Sequence, residues 1–349
     1  MAGEIRVGVN GYGVIGKRVA DAVRAQADMR LVGVSDVAAD WRTRALHRKD
    51  IPLFAATSEA HEHLAANRIA VEGRLQDLLG TVDVVVDCTP KRVAAENVPV
   101  YRQLGRKFIV QGGEKHSVTG HSFVAESNYQ SAVGLDATRV VSCNTTATVR
   151  TLTALKRAGL LRRARGTLMR RATDPWESHL GGIINTLVPE PEIPSHQGPD
   201  AQTVDPDLDV LTMAVKVPET IAHLHYWSVQ LSRSAPKEEV LDAFRASPRI
   251  FLMPDSYGLA AINAVKELMA DLGRSRGDLY EVALWSDMLR VEGDEVFYTY
   301  MVDNQAIVVP ETIDAIRALA GREPSGAASI RATDEALQIW RDPFSPAPG

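Results

Sequence analysis

Only two cysteines, Cys88 and Cys143, occur in 349 residues, too few to staple a disulfide framework. The opening MAGEIRVGVNGYG has neither a charged start leading into an apolar stretch nor a cleavage site, so the expected compartment is the cytoplasm. No uninterrupted apolar run approaches the ~18–20 residues that a membrane helix requires. A charge bias is missing too. Net charge is −5, and the longest basic cluster, LRRARGTLMRR from Leu161 to Arg171, lies among ordinary strand and helix patterns. Neither a membrane partner nor a nucleic-acid partner is expected.

The chain is longer than one hydrophobic core usually serves, which predicts two domains. In the first part, short apolar runs alternate with helical patterns: IRVGVN (5–10) before a helix over 15–27, LVGVSD (31–36), VDVVVDC (82–88) before a helix over 93–104, KFIVQGG (107–113) and TRVVSC (138–143). Continuous β-branched runs separated by helices indicate a parallel sheet covered on both faces, a doubly wound α/β domain of the Rossmann type. After Arg150 the pattern becomes TLMRRATD, LDVLTMAVKV, IAHLHYWSVQLS and YEVALW, with a hairpin about Gly293-Asp294. Such strands predict a mostly antiparallel sheet in an α+β domain. PETIDAIRALAG (310–321) reads as a helix opened by proline and closed by glycine, returning to the first domain. The expected division is 1–141 with 305–349 for the dinucleotide-binding domain, and 142–304 for catalysis and oligomerisation. The Pro-rich end is assigned no order.

VNGYGVIG stands directly after a strand and opens a helix. In that context Gly11 permits the tight turn, Gly13 lets backbone approach a pyrophosphate, and Gly16 lets helix and strand pack closely, with Tyr12, Val14 and Ile15 in the same turn. Asp36 ends the second strand about 20 residues past the fingerprint, where a carboxylate can accept hydrogen bonds from an adenosine ribose. NAD is therefore expected in preference to NADP. Arg42 and Arg44 lie a few residues on and are expected on an exposed helix face.

VVSCNTTATVR raises the question of the thiol. A strand ending at Cys143 and a helix starting at Asn144 or Thr145 put the sulfur at the positive end of a helix, which predicts a lowered pKa and a nucleophilic thiolate. Beside a nicotinamide, a thiolate can attack an aldehyde, and hydride loss from the adduct leaves a thioester. His223 and His225 lie two apart on TIAHLHYW, share one face of a strand, and are the two candidates for the base. No cysteine or carboxylate partner stands at ligand spacing, so no metal is expected.

These residues carry a resemblance. DCTP (87–90), QGGEKH (111–116), SCNTT (142–146), RRATDP (170–175), SHQGPD (195–200), VPETIAHLH (217–225), GRSR (273–276) and VPETIDAIRA (309–318), with the glycine fingerprint, resemble in order the archaeal-type (type II) glyceraldehyde-3-phosphate dehydrogenases. The resemblance implies Cys143 as nucleophile, His223 as base, and a homotetramer. It implies cofactor contacts from Thr89, Pro90, Gln111, Gly112, Gly113, Asn304 and Gln305. It further implies a small phosphorylated aldehyde and inorganic phosphate, held by Asn144, Thr145, Thr146, Arg170, Arg171, His196 and Gln197. Guanidinium forks and hydroxyls suit phosphate oxygens.

The chain departs from the family pattern at CNTTATVR, at Gln197 where a second histidine is usual, at Asp36 where many relatives carry lysine, and at VDNQAIVVPE. These departures keep open a related phosphorylated or phosphonate aldehyde, and water in place of phosphate. A catalytically silent nucleotide-binding protein is the other alternative, but it predicts loss of the nucleophile or the base, and both candidates are present.

Overall fold

The structure, a computed structural model, describes residues 3–111, 113–175 and 183–344. Two compact units emerge. Met1–Val141 with Val308–Gln338 forms one, and Ser142–Ile307 with the chain from Ile339 forms the other.

The first unit is built on eight parallel strands, in the spatial order Gly73–Arg74, Leu53–Ala55, Met29–Asp36, Ile5–Asn10, Val84–Asp87, Lys107–Val110, Ala137–Val140 and Ser122–Phe123. Its central strands are apolar throughout because helices cover both faces: Val7, Val9, Val84, Val85 and Val86 have no exposed surface. Parallel pairing brings the carboxyl ends of these strands to one edge, where Asn10, Asp36, Asp87 and Val110 stop and the loops begin. The helix Val308–Ala320 packs in this unit and ends at Gly321, whose φ of 64° suits glycine.

Two particulars differ from the expectation for the C-terminal stretch. Gly326–Leu337 is a helix, capped by the Ser325 hydroxyl accepting from the Ala328 N–H (3.3 Å). From Ile339 the chain leaves the first unit for the second. There the Trp340 N–H donates to Glu281 Oε1 (3.0 Å), the Arg274 guanidinium lies 4.4 Å over the Trp340 ring, and the Tyr257 hydroxyl donates to Asp342 Oδ1 (3.0 Å). Single aromatic anchors without periodicity do this, and a periodicity reading does not register them.

The second unit holds a mixed sheet, ordered Val188–Pro189, Val210–Val217, Leu161–Arg171, His223–Leu231, Glu295–Val302, Val282–Trp285 and Ile250–Met253, with Arg290–Glu292 completing a hairpin against Glu295–Val302. Most pairs are antiparallel; Leu161–Arg171 with Val210–Val217, and Ile250–Met253 with Val282–Trp285, are parallel. Along His223–Leu231 every second residue is buried, so His223, His225 and Trp227 face inward together.

The first glycine loop shows how tightly this edge is made. Gly11 sits at φ 90°, and a Cβ on Gly16 would lie 1.8 Å from the Gly11 carbonyl oxygen. Gly16→Ala must therefore separate helix Val14–Ala25 from the loop, and is expected to cost roughly 1–3 kcal/mol of stability. Thermal unfolding of the purified variant measures it; an unchanged melting temperature contradicts this packing.

Candidate active site

The chain turns from the strand Ala137–Val140 into the helix Cys143–Arg157, with Ser142 as its N-cap, its hydroxyl accepting from the Thr145 N–H. Cys143 is thus the first helical residue rather than the last of a strand. The helix is almost wholly buried from Asn144 to Leu155. Gly159, at φ 68°, follows its end.

Cys143 Sγ lies 3.4 Å from His223 Nε2. The other ring nitrogen, Nδ1, accepts the backbone N–H of Arg171 at 3.0 Å. A backbone amide can only donate, so in the neutral imidazole the proton resides on Nε2. His223 therefore faces the sulfur as a donor. To act as base toward the thiol it would need its proton on Nδ1, pointing into the Arg171 N–H. Burial, Arg171, His225 and Arg170 together hold the His223 pKa well below the ordinary histidine value, so the ring is neutral.

The expectation of a lowered thiol pKa is not met. Burial pushes Cys143 up, and Asp303 adds to it; the Arg171 charge, the Asn144 N–H and the Arg170 charge act in the opposite direction. Cys88 is raised well above the usual value by burial and by the Asp87 charge, with no cation opposing. The helix end and two arginines distinguish Cys143 from Cys88, although burial wins over both.

His225 has a different assignment from His223. Its Nε2 is 2.8 Å from Asn144 Oδ1 and its Nδ1 is 3.0 Å from the Tyr300 hydroxyl, so both nitrogens are engaged away from the sulfur. Of the two candidates, geometry brings only His223 to Cys143.

The expected anion-binding residues are drawn together, with internal carboxylates among them. Arg170 pairs with Glu190, whose other oxygen is 3.8 Å from His196 Nδ1. Arg171 pairs with Asp174 at 3.2 Å, and the Thr145 hydroxyl donates to Asp200 Oδ2 at 3.0 Å. Asn304 and Gln305, expected at the cofactor, donate side-chain N–H groups to the same Asp174 (3.1 and 2.8 Å). Thr146 is buried within the helix. The Gln197 side chain is fully buried, and neither end of its amide has a partner among the described residues. Asp174, Glu190 and Asp200 were not anticipated. Asp174 lies three residues beyond Arg171, a spacing that could have flagged it, whereas Glu190 reaches Arg170 only through the fold.

The glycine loop in the first unit fits a dinucleotide. Nothing crowds Gly13: the nearest atom to a Cβ built there is an Arg42 guanidinium nitrogen at 3.9 Å. Val14 and Ile15 open the following helix half-buried. Asp36 Oδ2 accepts the Tyr12 N–H (2.6 Å), and Oδ1 accepts those of Val37 and Ala38 (2.7 and 2.8 Å). With three amides on a carboxylate of about four acceptor positions, one remains for a ribose hydroxyl rather than two. Arg42 is folded back over the loop and paired with Asp40 (2.6 Å), not carried on an exposed helix face; Arg44 is exposed. Thr89 donates through its N–H and hydroxyl to the buried Asp87, Pro90 is exposed beside it, and Gln111 donates to the Thr312 hydroxyl (3.2 Å). Gly113 lies against Lys91, and Gly112 falls outside the described residues. Among the described residues no cluster of histidine, cysteine and carboxylate could hold a metal ion, and no helix is long and apolar enough to cross a membrane.

Residues 142–271 match the family described as the glyceraldehyde 3-phosphate dehydrogenase C-terminal domain, and residues 5–116 match the dihydrodipicolinate reductase N-terminus. A protein named glyceraldehyde-3-phosphate dehydrogenase from Pyrobaculum calidifontis is 45% identical over 341 residues, covering 97% of this chain and 98% of its own. Proteins of the same name from Metallosphaera sedula and Methanobrevibacter smithii are 44% and 42% identical, covering 97% and 95% of this chain and 98% and 99% of their own.

Because burial raises the Cys143 pKa while Arg171 opposes it, alkylation by iodoacetamide should accelerate with pH about a midpoint above that of an ordinary thiol. Arg171→Ala removes a charge that favours thiolate, so the midpoint should move further up. The rate of labelling of the Cys143 peptide across pH reports it. A midpoint that moves down in Arg171→Ala contradicts this balance between burial and charge.

Proposed function

The chain belongs to the glyceraldehyde-3-phosphate dehydrogenase family, and from that premise we propose that it oxidises glyceraldehyde 3-phosphate, with NAD and inorganic phosphate, to 1,3-bisphosphoglycerate. The observation that carries this reading is the contact of Cys143 with a neutral His223 at the start of a buried helix, beside two arginines.

The sulfur, once its proton has left to water, adds to the aldehyde carbon; the C–S bond forms as the carbonyl π pair moves to oxygen. The Nε2–H of His223, held in place by the Arg171 amide on Nδ1, donates to the oxygen as its charge develops. A nicotinamide dinucleotide supplies, when bound, the hydride acceptor that leaves the acyl group as a thioester. Phosphate oxygen then attacks the acyl carbon, and sulfur departs as thiolate. Neither step requires His223 to hold a second proton, which agrees with its depressed pKa.

Gly11, Tyr12, Gly13, Val14, Ile15 and Gly16 would hold the pyrophosphate, Asp36 a ribose hydroxyl, and Thr89, Pro90, Gln111 and Gly113 the remainder of the cofactor. The Asp36 charge opposes a 2′-phosphate, and Arg42 is already matched by Asp40. NAD should therefore surpass NADP in kcat/KM by about tenfold or more. Equal efficiencies with the two cofactors contradict the role assigned to Asp36.

Arg170, Arg171, Thr145, His196 and Gln197 would take the anions of substrate and phosphate. The amide of Gln197, which has no partner among the described residues, supports a ligand rich in oxygen, and Glu190 must share Arg170 with it. The exposed sheet face bearing Met213, Tyr226 and Met288 would be covered by other copies in a homotetramer, which sedimentation equilibrium tests.

NADH production from glyceraldehyde 3-phosphate should depend on phosphate, and Arg170→Ala should raise a KM for phosphate or aldehyde roughly 10- to 100-fold, the loss of a charge-assisted hydrogen bond worth about 1.5–3 kcal/mol. Steady-state kinetics with and without phosphate, with propanal as the uncharged comparison, decides it. Oxidation of propanal as efficient as that of the phosphorylated aldehyde, without phosphate dependence, sinks this reading.

A further inference from the structure

Behind the nucleophile lie three inward-facing side chains that acyl transfer at the sulfur does not use directly. His225 and Tyr300 are fully buried and Trp227 is 2% exposed. The strand register sets Tyr300 directly opposite His225, and Trp227 follows two residues along the same face.

Their hydrogen bonds run in one direction. The Trp227 indole can only donate, and its Nε1–H donates to the Tyr300 hydroxyl at 2.9 Å. At the other end, the Asn144 carbonyl Oδ1 can only accept, so the contact at 2.8 Å places a proton on His225 Nε2. A neutral ring then has a bare Nδ1, and the Tyr300 hydroxyl 3.0 Å away must donate to it. Burial and Arg170 hold the His225 pKa at about 3, which keeps that ring neutral. The proton on Nε2 holds the Asn144 amide against rotation: Oδ1 faces His225, which turns Nδ2 away from that ring.

His223 and His225 stand on one face of one strand and touch two consecutive residues of one helix, the first at the Cys143 sulfur and the second at the Asn144 amide. We infer that Trp227, Tyr300 and His225 are positioning residues that hold the Asn144 carboxamide so that its Nδ2–H is a second donor, beside His223, to the substrate oxygen that becomes negative when Cys143 adds. This rests on Cys143 being the nucleophile. Were the three residues mere core filler, the polarity of their bonds would have no consequence for turnover.

The test is a double-mutant cycle on the full-length enzyme with Asn144→Ala, Tyr300→Phe and both together. Each single variant should lower kcat about tenfold or more, approaching the hundredfold seen when a donor to a developing oxyanion is removed, with KM for the aldehyde little changed. Alkylation of Cys143 by iodoacetamide, a displacement that forms no oxyanion, should proceed at the unmodified rate. The double variant should be no slower than Asn144→Ala alone, because Tyr300 acts only through Asn144. His225→Gln, which retains an N–H donor and an acceptor, should keep more kcat than His225→Leu, and serves if Tyr300→Phe does not fold. Additive losses in the double variant, equal kcat for His225→Gln and His225→Leu, or a folded Asn144→Ala enzyme with full kcat overturn the inference. Cys143→Ser separates it from the reading beneath: full activity there removes the nucleophile itself, whereas a dead Cys143→Ser beside a fully active Asn144→Ala removes only the relay.

Discussion

One backbone amide decides what the histidine beside the sulfur can do. The Arg171 N–H, at the end of its strand, occupies Nδ1 of His223 and so assigns the proton to Nε2, where it meets Cys143. Much else in this unit serves that contact. The strand His223–Leu231 must alternate to face the ring inward, the helix Cys143–Arg157 must start at the cysteine, and Ser142 must cap it. The ring is a neutral donor in a buried place, able to face negative charge on the sulfur without itself carrying positive charge. The positive charge comes from Arg170 and Arg171, which are half-buried and matched by carboxylates.

Burial has two effects on this chemistry. It raises the thiol pKa and depresses both histidines, which holds the resting pair neutral. It also strengthens each remaining dipole and charge, since the surrounding medium screens them less. At Cys143 the Arg171 charge, the Asn144 N–H and the Arg170 charge act against burial. Glu190 and Asp174 do the same for the arginines, which would otherwise be uncompensated in partly buried positions.

The parallel sheet, the glycine loop, the hairpin and the inward pairing of His223 with His225 were legible in the sequence, because each follows from a period or a turn residue. The place of Cys143 at the start of a helix was legible from the residues that follow it. The sign of its pKa shift was not, because helix position is local whereas burial depends on the whole fold. The histidine tautomer was equally hidden, since it depends on an amide 52 residues away along the chain. Asp36 looked like a free ribose ligand, and it is mostly occupied by the amides of Tyr12, Val37 and Ala38. The helix Gly326–Leu337 and the docking of Trp340 escaped notice where small residues and prolines obscure any pattern.

The central claim is that acyl transfer passes through the sulfur of Cys143. Mixing the enzyme with NAD and glyceraldehyde 3-phosphate without phosphate, quenching in acid and digesting it allows the acylated peptide to be identified by mass spectrometry. One acyl adduct is expected, on the peptide containing Cys143, and it should disappear when phosphate is added before the quench. NADH formed in stoichiometric amount with no adduct on Cys143, or with the adduct on Cys88, would contradict the claim.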